Sequence, residues 1–478
     1  MKRNLSMLAD YYEFTMASAY LENNKADTIA YYDLYFRRVP EDGGFAILAG
    51  LEQAIEYIEN LSFSQKDLDY FKERGFSQQF INYLRDFKFE CDVWAIPEGR
   101  VVFPNEPLMT IRGPVIQAQM LETMLLLTIN HQSLIATKAN RIVRASQGRA
   151  VMEFGSRRAQ GPDAANLGAR AAYIGGVIGS ANTLADIDYG VPALGTMAHS
   201  WVQMFDTELE SFKAFAKVFP DNCVLLVDTY DTLKSGIPNA IKAFDEVLKP
   251  MGKRPKGIRL DSGDIAYLSK TARKMLDDAG YEDCMITASS SLDEYKISDM
   301  LLQGAKVDSF GVGERLITSK AEPVFGGVYK LVAIEKDGKI VPRIKISENV
   351  EKITTPGFKT VYRLYNKTTG KAEADLVTFT DEKINEDESL EIFHPTYTWK
   401  RKTLTNFTAE NLMKRIYDNG KLVYKWQSLE EIRNICKTEV DSLWDEIKRF
   451  DFPHQYKMDL SQNVWDLKYK LLENHNNE

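Results

Sequence analysis

A chain of 478 residues, 44% of them hydrophobic, can bury a large core and is too long to be one small module. Sixty Lys and Arg against 68 Asp and Glu leave a formal charge of −8, which excludes an overall basic field for nucleic acid or an anionic membrane, so any anionic substrate must be held by local positive charge. The four cysteines, Cys91, Cys223, Cys284 and Cys436, lie far apart with no metal-ligand spacing, which argues against a zinc site or a disulfide framework and for a reduced, cytoplasmic setting.

From the N-terminus, Met1-Lys2-Arg3 leads soon to Asp10 and Glu13 rather than to an apolar run, so no leader is expected. Thr28 to Arg38 alternates and is rich in aromatics like a strand, Phe45 to Leu61 has helical spacing, and the Pro-punctuated run Val101 to Gly113 reads as extended pieces. Val115 to Arg144 reads as a long, mostly apolar helical stretch. Its most apolar part, Met120 to Ile129, falls far short of the roughly 20 residues that span a bilayer. A soluble protein is expected.

Between about residues 150 and 315 short apolar strands alternate with helical segments. The predicted strands are Val151 to Phe154, Pro192 to Leu194, Val224 to Val227, Gly257 to Leu260, Met285 to Thr287 and Val307 to Phe310. Each starts roughly 25 to 40 residues after the last, the length of a right-handed crossover, so the strands should be parallel. Six units fit an open doubly wound sheet or a barrel; polar residues gathered at one end of the strands favour the barrel. After Gly326-Gly327 the pattern returns to β, with a hairpin of Val361 to Tyr365 and Leu376 to Phe379 around Asn366 to Gly370. A charged helix, Ser428 to Arg449, comes next, and the Asn-rich tail from Asn474 should fray. The expected division is an N-terminal α+β domain over 1–125, an α/β catalytic domain over 126–345 and a C-terminal domain over 346–478.

The chemistry lies in the segments just after the middle strands. These are Gly155-Ser156-Arg157-Arg158, Gly195-Thr196-Met197-Ala198-His199, Asp228-Thr229-Tyr230-Asp231, Leu260-Asp261-Ser262-Gly263-Asp264, Ser289-Ser290-Ser291 and Gly311-Val312-Gly313. In a parallel sheet they share one edge. Serine and glycine turns that open helices offer unpaired N–H groups to a phosphate, and Ser291 with Glu294 has capping-box spacing. The arginines can clamp carboxylate or phosphate, and Asp228 and Asp261 can hold sugar hydroxyls or a magnesium ion bridging phosphates. Singly, each has an ordinary structural reading: a satisfied histidine, a solvated arginine pair, a tight turn, a helix-start loop. Six at one edge describe a site for an anionic sugar phosphate with its metal.

These segments, with Leu8 to Ala17 around Tyr11-Tyr12, Phe36-Arg37-Arg38, Arg157-Arg158-Ala159-Gln160-Gly161-Pro162-Asp163, Thr196-Met197-Ala198-His199-Ser200 and Gly326-Gly327-Val328-Tyr329-Lys330-Leu331, make the sequence resemble the nicotinate phosphoribosyltransferases over most of its length. The resemblance implies an irregular parallel α/β barrel of the type II phosphoribosyltransferase kind, carrying an N-terminal α+β domain and a C-terminal α+β extension. It implies a cytoplasmic homodimer with shared active sites that joins nicotinate to phosphoribosyl pyrophosphate in NAD salvage, with Mg2+, and with ATP as a co-substrate acting through a phosphohistidine.

By that resemblance His199 is the histidine that ATP phosphorylates, and Phe154 with Tyr12 of a partner subunit sandwiches the pyridine ring. Thr196, Arg157 and Arg259 bind the nicotinate carboxylate or neighbouring phosphates, Asp228 and Asp261 are the ribose and metal acids, and Ser290, Gly311 and Gly313 belong to the 5′-phosphate cradle. The metal ligands are left open. The sequence departs from some relatives at Ser289-Ser290-Ser291, where they have asparagines, and at Glu314, where they have Thr. Nicotinamide-using relatives carry an acid at the position of Asn182, so a neutral residue there favours nicotinate. The rivals are the same transfer to nicotinamide, a β/α-barrel isomerase or aldolase acting on sugar phosphates, and a metabolite-binding scaffold without turnover.

Overall fold

The computed structural model describes residues 4–476. Met1-Lys2-Arg3, on which the expectation of no leader rests, lies outside the described residues. The chain forms two compact units: one takes the chain up to Leu134 together with everything from Val324, the other is Ile135–Pro323.

The first unit is built on a seven-stranded antiparallel sheet in the order Lys339–Pro342, Gly327–Lys336, Ile29–Phe36, Met109–Pro114, Asp92–Ala95, Lys414–Asp418, Lys421–Leu422. Its interior strand Ile29–Phe36 is buried on both faces, which is why aromatics occupy both sets of alternating positions. Asp33, on one of those faces, is neutralised by Lys359 at 2.9 Å. The expected helical stretch Val115 to Arg144 is two helices, Val115–Gln119 and Glu122–Ala145, interrupted at Met120-Leu121. The expected hairpin is present, as strands Lys359–Asn366 and Ala372–Phe379. Its turn is set by Asn366, whose side-chain oxygen accepts from the N–H groups of Thr368 and Thr369 at 2.9 and 3.0 Å. The charged helix is shorter than expected, Leu429–Ser442, with Ser428 as its cap. The last helix is Gln462–Asn476, and the end of the Asn-rich tail beyond it lies outside the described residues.

The second unit holds a parallel sheet of five strands, β1 (Ala150–Glu153), β2 (Val224–Leu226), β3 (Gly257–Leu260), β4 (Met285–Ala288) and β5 (Ser309–Val312), in the order β1-β5-β4-β3-β2. Five of the six predicted strands are therefore found. The sixth, Pro192 to Leu194, is reduced to one bridge from Ala193 to Ser180, which in turn bridges Glu153 of β1. Pro192 brings no N–H and the segment is exposed, so it cannot extend a ladder. Among the described residues no strand pair joins β2 to the Ala193 edge: the hydrogen-bonded sheet is open, and no closed barrel is seen where the sequence led to an irregular one. All four cysteines are buried, and none is in a disulfide. Among the described residues no helix is long and apolar enough to cross a membrane.

Candidate functional site

The loops leaving the five strands gather at their carboxyl ends around a cavity of about 790 Å³. Every predicted site residue except Asp228 and Tyr12 lines it. Asp228 lies one step behind: its Oδ2 accepts from the backbone N–H of Asp261 at 2.8 Å and from the Ser262 hydroxyl at 2.6 Å. Tyr12 is in the other unit, half exposed on helix Tyr11–Glu22, and is not among the lining residues.

Arg259, near the end of β3, organises the centre. Its Nε donates to Ser289 Oγ at 2.9 Å, Nη1 to Thr196 Oγ1 at 3.4 Å and Nη2 to Asp261 Oδ1 at 2.7 Å. Its guanidinium carbon lies 5.6 Å from the centre of the Phe154 ring. The planar fork fixes three loops at once, which a point charge could not do. Burial disfavours the Asp261 charge, but a hydrogen bond from Ser289 and the charge of Arg259 together hold its carboxyl below the ordinary carboxylate value.

His199 starts a one-turn helix, His199–Gln203. Its Nδ1 shares a 3.1 Å hydrogen bond with Thr229 Oγ1, while Nε2 faces Asp261 Oδ2 at 3.7 Å. The imidazole is thus oriented from the loop after β2, with its second nitrogen turned toward the acid. Arg157 and Arg158 are exposed at the cavity edge.

The Ser289–Ser291 loop is strained, with positive φ at Ser290 (106°) and Ser291 (49°). The expected capping box at Ser291 is not formed. Asp293 caps helix Glu294–Leu302 instead, accepting from Lys296 N at 2.9 Å, while Glu294 is withdrawn into a buried ion cluster with Lys138 and Arg141. Gly311 has a direct reason to be glycine, because a Cβ there would sit 2.5 Å from the Phe154 ring. Asn182, on which the preference for nicotinate over nicotinamide rests, uses its side chain to cap helix Thr183–Tyr189 through Leu184 N at 3.0 Å and does not line the cavity.

Sequence reasoning assigned no side-chain task to Thr229, Ser262 or Ser289, which orient His199, Asp228 and Asp261. Their one signal was adjacency to the acids and turns already singled out. A divalent cation suits the acids present. The Oδ1 atom of Asp228 is buried with no hydrogen-bond partner, and Oδ2 of Asp261 faces the imidazole. Among the described residues no group of three or more His, Cys, Asp or Glu could hold a metal alone. Magnesium takes one or two carboxylates and completes its shell with phosphate oxygens and water, a donor set that Asp228 and Asp261 could supply.

Three family models cover the chain: the nicotinate phosphoribosyltransferase (NAPRTase) N-terminal domain over residues 7–130, the NAPRTase family over 149–403 and the NAPRTase C-terminal domain over 358–468. The nicotinate phosphoribosyltransferase of Bacillus subtilis is 46% identical over 98% of this chain and 95% of its own length. That of Dictyostelium discoideum is 34% identical over 97% and 88%. The crystal structure of human nicotinic acid phosphoribosyltransferase superposes with a TM-score of 0.86 at 29% identity, covering 97% of this chain and 99% of that one.

Proposed function

This chain belongs to the nicotinate phosphoribosyltransferase family and is an enzyme of that family, and from that premise we propose that it joins nicotinate to 5-phosphoribosyl 1-pyrophosphate, releasing nicotinate mononucleotide and pyrophosphate, with ATP coupled through a phosphohistidine at His199. The observation that carries this reading is the convergence of His199, Arg259 and Asp261 on one cavity large enough for a sugar phosphate and a flat base.

In the transfer, the pyridine nitrogen attacks C1 of the ribose while the C1–O bond to pyrophosphate breaks and its electron pair leaves with the pyrophosphate. The residues act by positioning and electrostatics. Phe154 offers a flat wall for the base, and Arg157, Arg259 and Thr196 receive its carboxylate or adjoining phosphates. The N–H groups of the Ser290 turn and of the Gly311–Gly313 end of β5 take the 5′-phosphate. Asp228 and Asp261 would hold Mg2+, which supplies neutralisation of the phosphate charge. In the coupled step a lone pair on His199 takes the terminal phosphoryl group of ATP and ADP departs; water later releases phosphate. Since Nδ1 is engaged with Thr229, the acceptor is Nε2. We read the parallel sheet as part of an irregular barrel, with the Ser180 and Ala193 bridges as its incomplete staves. The working assembly is a cytoplasmic homodimer in which the exposed Tyr12 of a partner subunit supplies the second wall for the base.

The test is incubation with ATP labelled in its terminal phosphate, followed by mapping of acid-labile label. Label on His199, and a His199→Ala variant that retains slow transfer without ATP stimulation, is the expected result. Full ATP stimulation in that variant removes His199 from the mechanism. Running nicotinate and nicotinamide in one assay decides the base.

A further inference from the structure

Beneath the cavity lies an acid to which the transfer reaction gives no task. Glu153 ends β1 with none of its surface exposed. Its backbone is paired on one side with Val312 of β5 and on the other with Ser180. No ion pair with its carboxylate is found among the described residues. Instead the carboxylate accepts hydrogen bonds from the Gly155 N–H and, at 2.5 Å, from the Ser180 hydroxyl. The Ser180 oxygen in turn accepts from Asn182 N–H at 3.0 Å. Burial pushes the Glu153 carboxyl above its ordinary value, so an apolar residue would fill this place at less cost.

What the acid does that carbon cannot is tie two neighbouring turns together inside the protein. One turn carries Phe154, the other Ala181, and both line the cavity. The fit is close: a Cβ on Gly155 would meet Ile317 at 2.6 Å and the Glu153 carboxylate at 2.7 Å. The Phe154 ring is also pinned from below, against Gly311.

We propose that Glu153 is the positioning residue of the base subsite: by clamping the Phe154–Gly155 turn to the Ser180–Asn182 segment it sets the slot into which a flat aromatic carboxylate slides beside Phe154. The inference rests on the function proposed above and goes beyond it in separating base affinity from sugar-phosphate affinity. Glu153 is buried and does not line the cavity, and its clamp bears on the Phe154 slot, so its loss should act chiefly on the base.

The experiment is initial-rate kinetics of the full chain, monitored by pyrophosphate release, varying nicotinate and phosphoribosyl pyrophosphate in turn. In Glu153→Gln one side-chain oxygen becomes an NH2 group facing a donor. The KM for nicotinate should rise about tenfold or more, the scale of one lost charged hydrogen bond, with the KM for phosphoribosyl pyrophosphate within about twofold of wild type. Ser180→Ala should move the same constant by less, and the double variant should be no worse than Glu153→Gln alone. If Glu153→Gln does not fold, Ser180→Ala, which removes the hydroxyl donor to the same carboxylate, reports on the same clamp. Both KM values rising together, or a lowered melting temperature with both unchanged, overturns the clamp. A wild-type protein that releases no pyrophosphate with nicotinate overturns the functional reading itself, and the two failures are told apart by that control.

Discussion

Arg259 is the residue on which most of the cavity's internal order depends. Its three donors engage Ser289, Thr196 and Asp261, which sit on three different loops. A lysine at 259 keeps the charge but loses the planar fork, so it can serve only one of these partners well. We expect Arg259→Lys to lower kcat/KM by roughly ten- to a hundredfold, the worth of one or two charge-assisted hydrogen bonds. The melting temperature should change little, because the residue lies at the cavity and not in the apolar core. Steady-state kinetics beside thermal denaturation check this, and an unchanged kcat/KM would remove the fork from the account. At this scale the sequence was readable where residue type and strand-end position agreed, as for Arg259, Asp261 and His199. It was not readable for Thr229 and Ser289. Hydroxyl residues in loops ordinarily cap helices, and nothing local marks one that reaches a histidine or an aspartate about 30 positions away, as Thr229 and Ser289 do. Asn182 shows the converse: the resemblance suggested a role toward the base, and its side chain caps helix Thr183–Tyr189.

Elements were legible in proportion to how completely their own residues specify them. The five parallel strands are short buried runs set between helices, and each was found within a few residues of its place. Pro192 to Leu194 was misjudged because a single exposed bridge has the same composition as a strand but lacks neighbours to pair with on both sides. The capping box expected at Ser291 failed for a related reason: Glu294 has stronger partners in Lys138 and Arg141 than the helix start can offer. The start of helix Leu429–Ser442 is a clean case in the other direction. Ser428 accepts from the Glu431 N–H, and the Glu431 carboxylate accepts from the Ser428 N–H. Removing the hydroxyl in Ser428→Ala leaves an end N–H to water alone and should cost about 1 kcal/mol of stability. Chemical denaturation measures it, with transfer activity unaltered; a cost near zero would mean that this helix end frays in the folded protein.

For the molecule as a whole, the least legible feature was which distant segments share a core. The seven-stranded sheet draws on strands from Ile29 to Leu422, and no local periodicity encodes such pairings. Elsewhere within that unit a buried charge cluster joins other distant segments. Arg363, with none of its surface exposed, binds Asp375 through Nη2 at 2.6 Å and also engages Glu439, while Arg100 engages Glu410 and Glu439. Tyr456 donates to Asp375 at 2.9 Å. Glu106 lies against Asp375, also fully buried, so four acids face two arginines and one proton is best retained. Burial, with the nearby Asp375 charge, pushes the Glu106 carboxyl well above its ordinary value. The sign comes from linkage: an acid whose folded value is raised contributes its full stability below the unfolded value, about 4.3, and loses it as pH rises toward the folded value. Glu106→Gln keeps the shape without the proton. The Phe103 N–H, which now donates to Glu106 Oε2 at 3.0 Å, can still find a side-chain oxygen. In urea unfolding the wild type should lose stability relative to this variant as pH rises above the unfolded value, with a slope of no more than about 1.4 kcal/mol per pH unit, the limit for one proton. Parallel pH profiles for the two proteins would show that Glu106 is already ionised when folded, and the cluster would then have to hold its excess negative charge by other means.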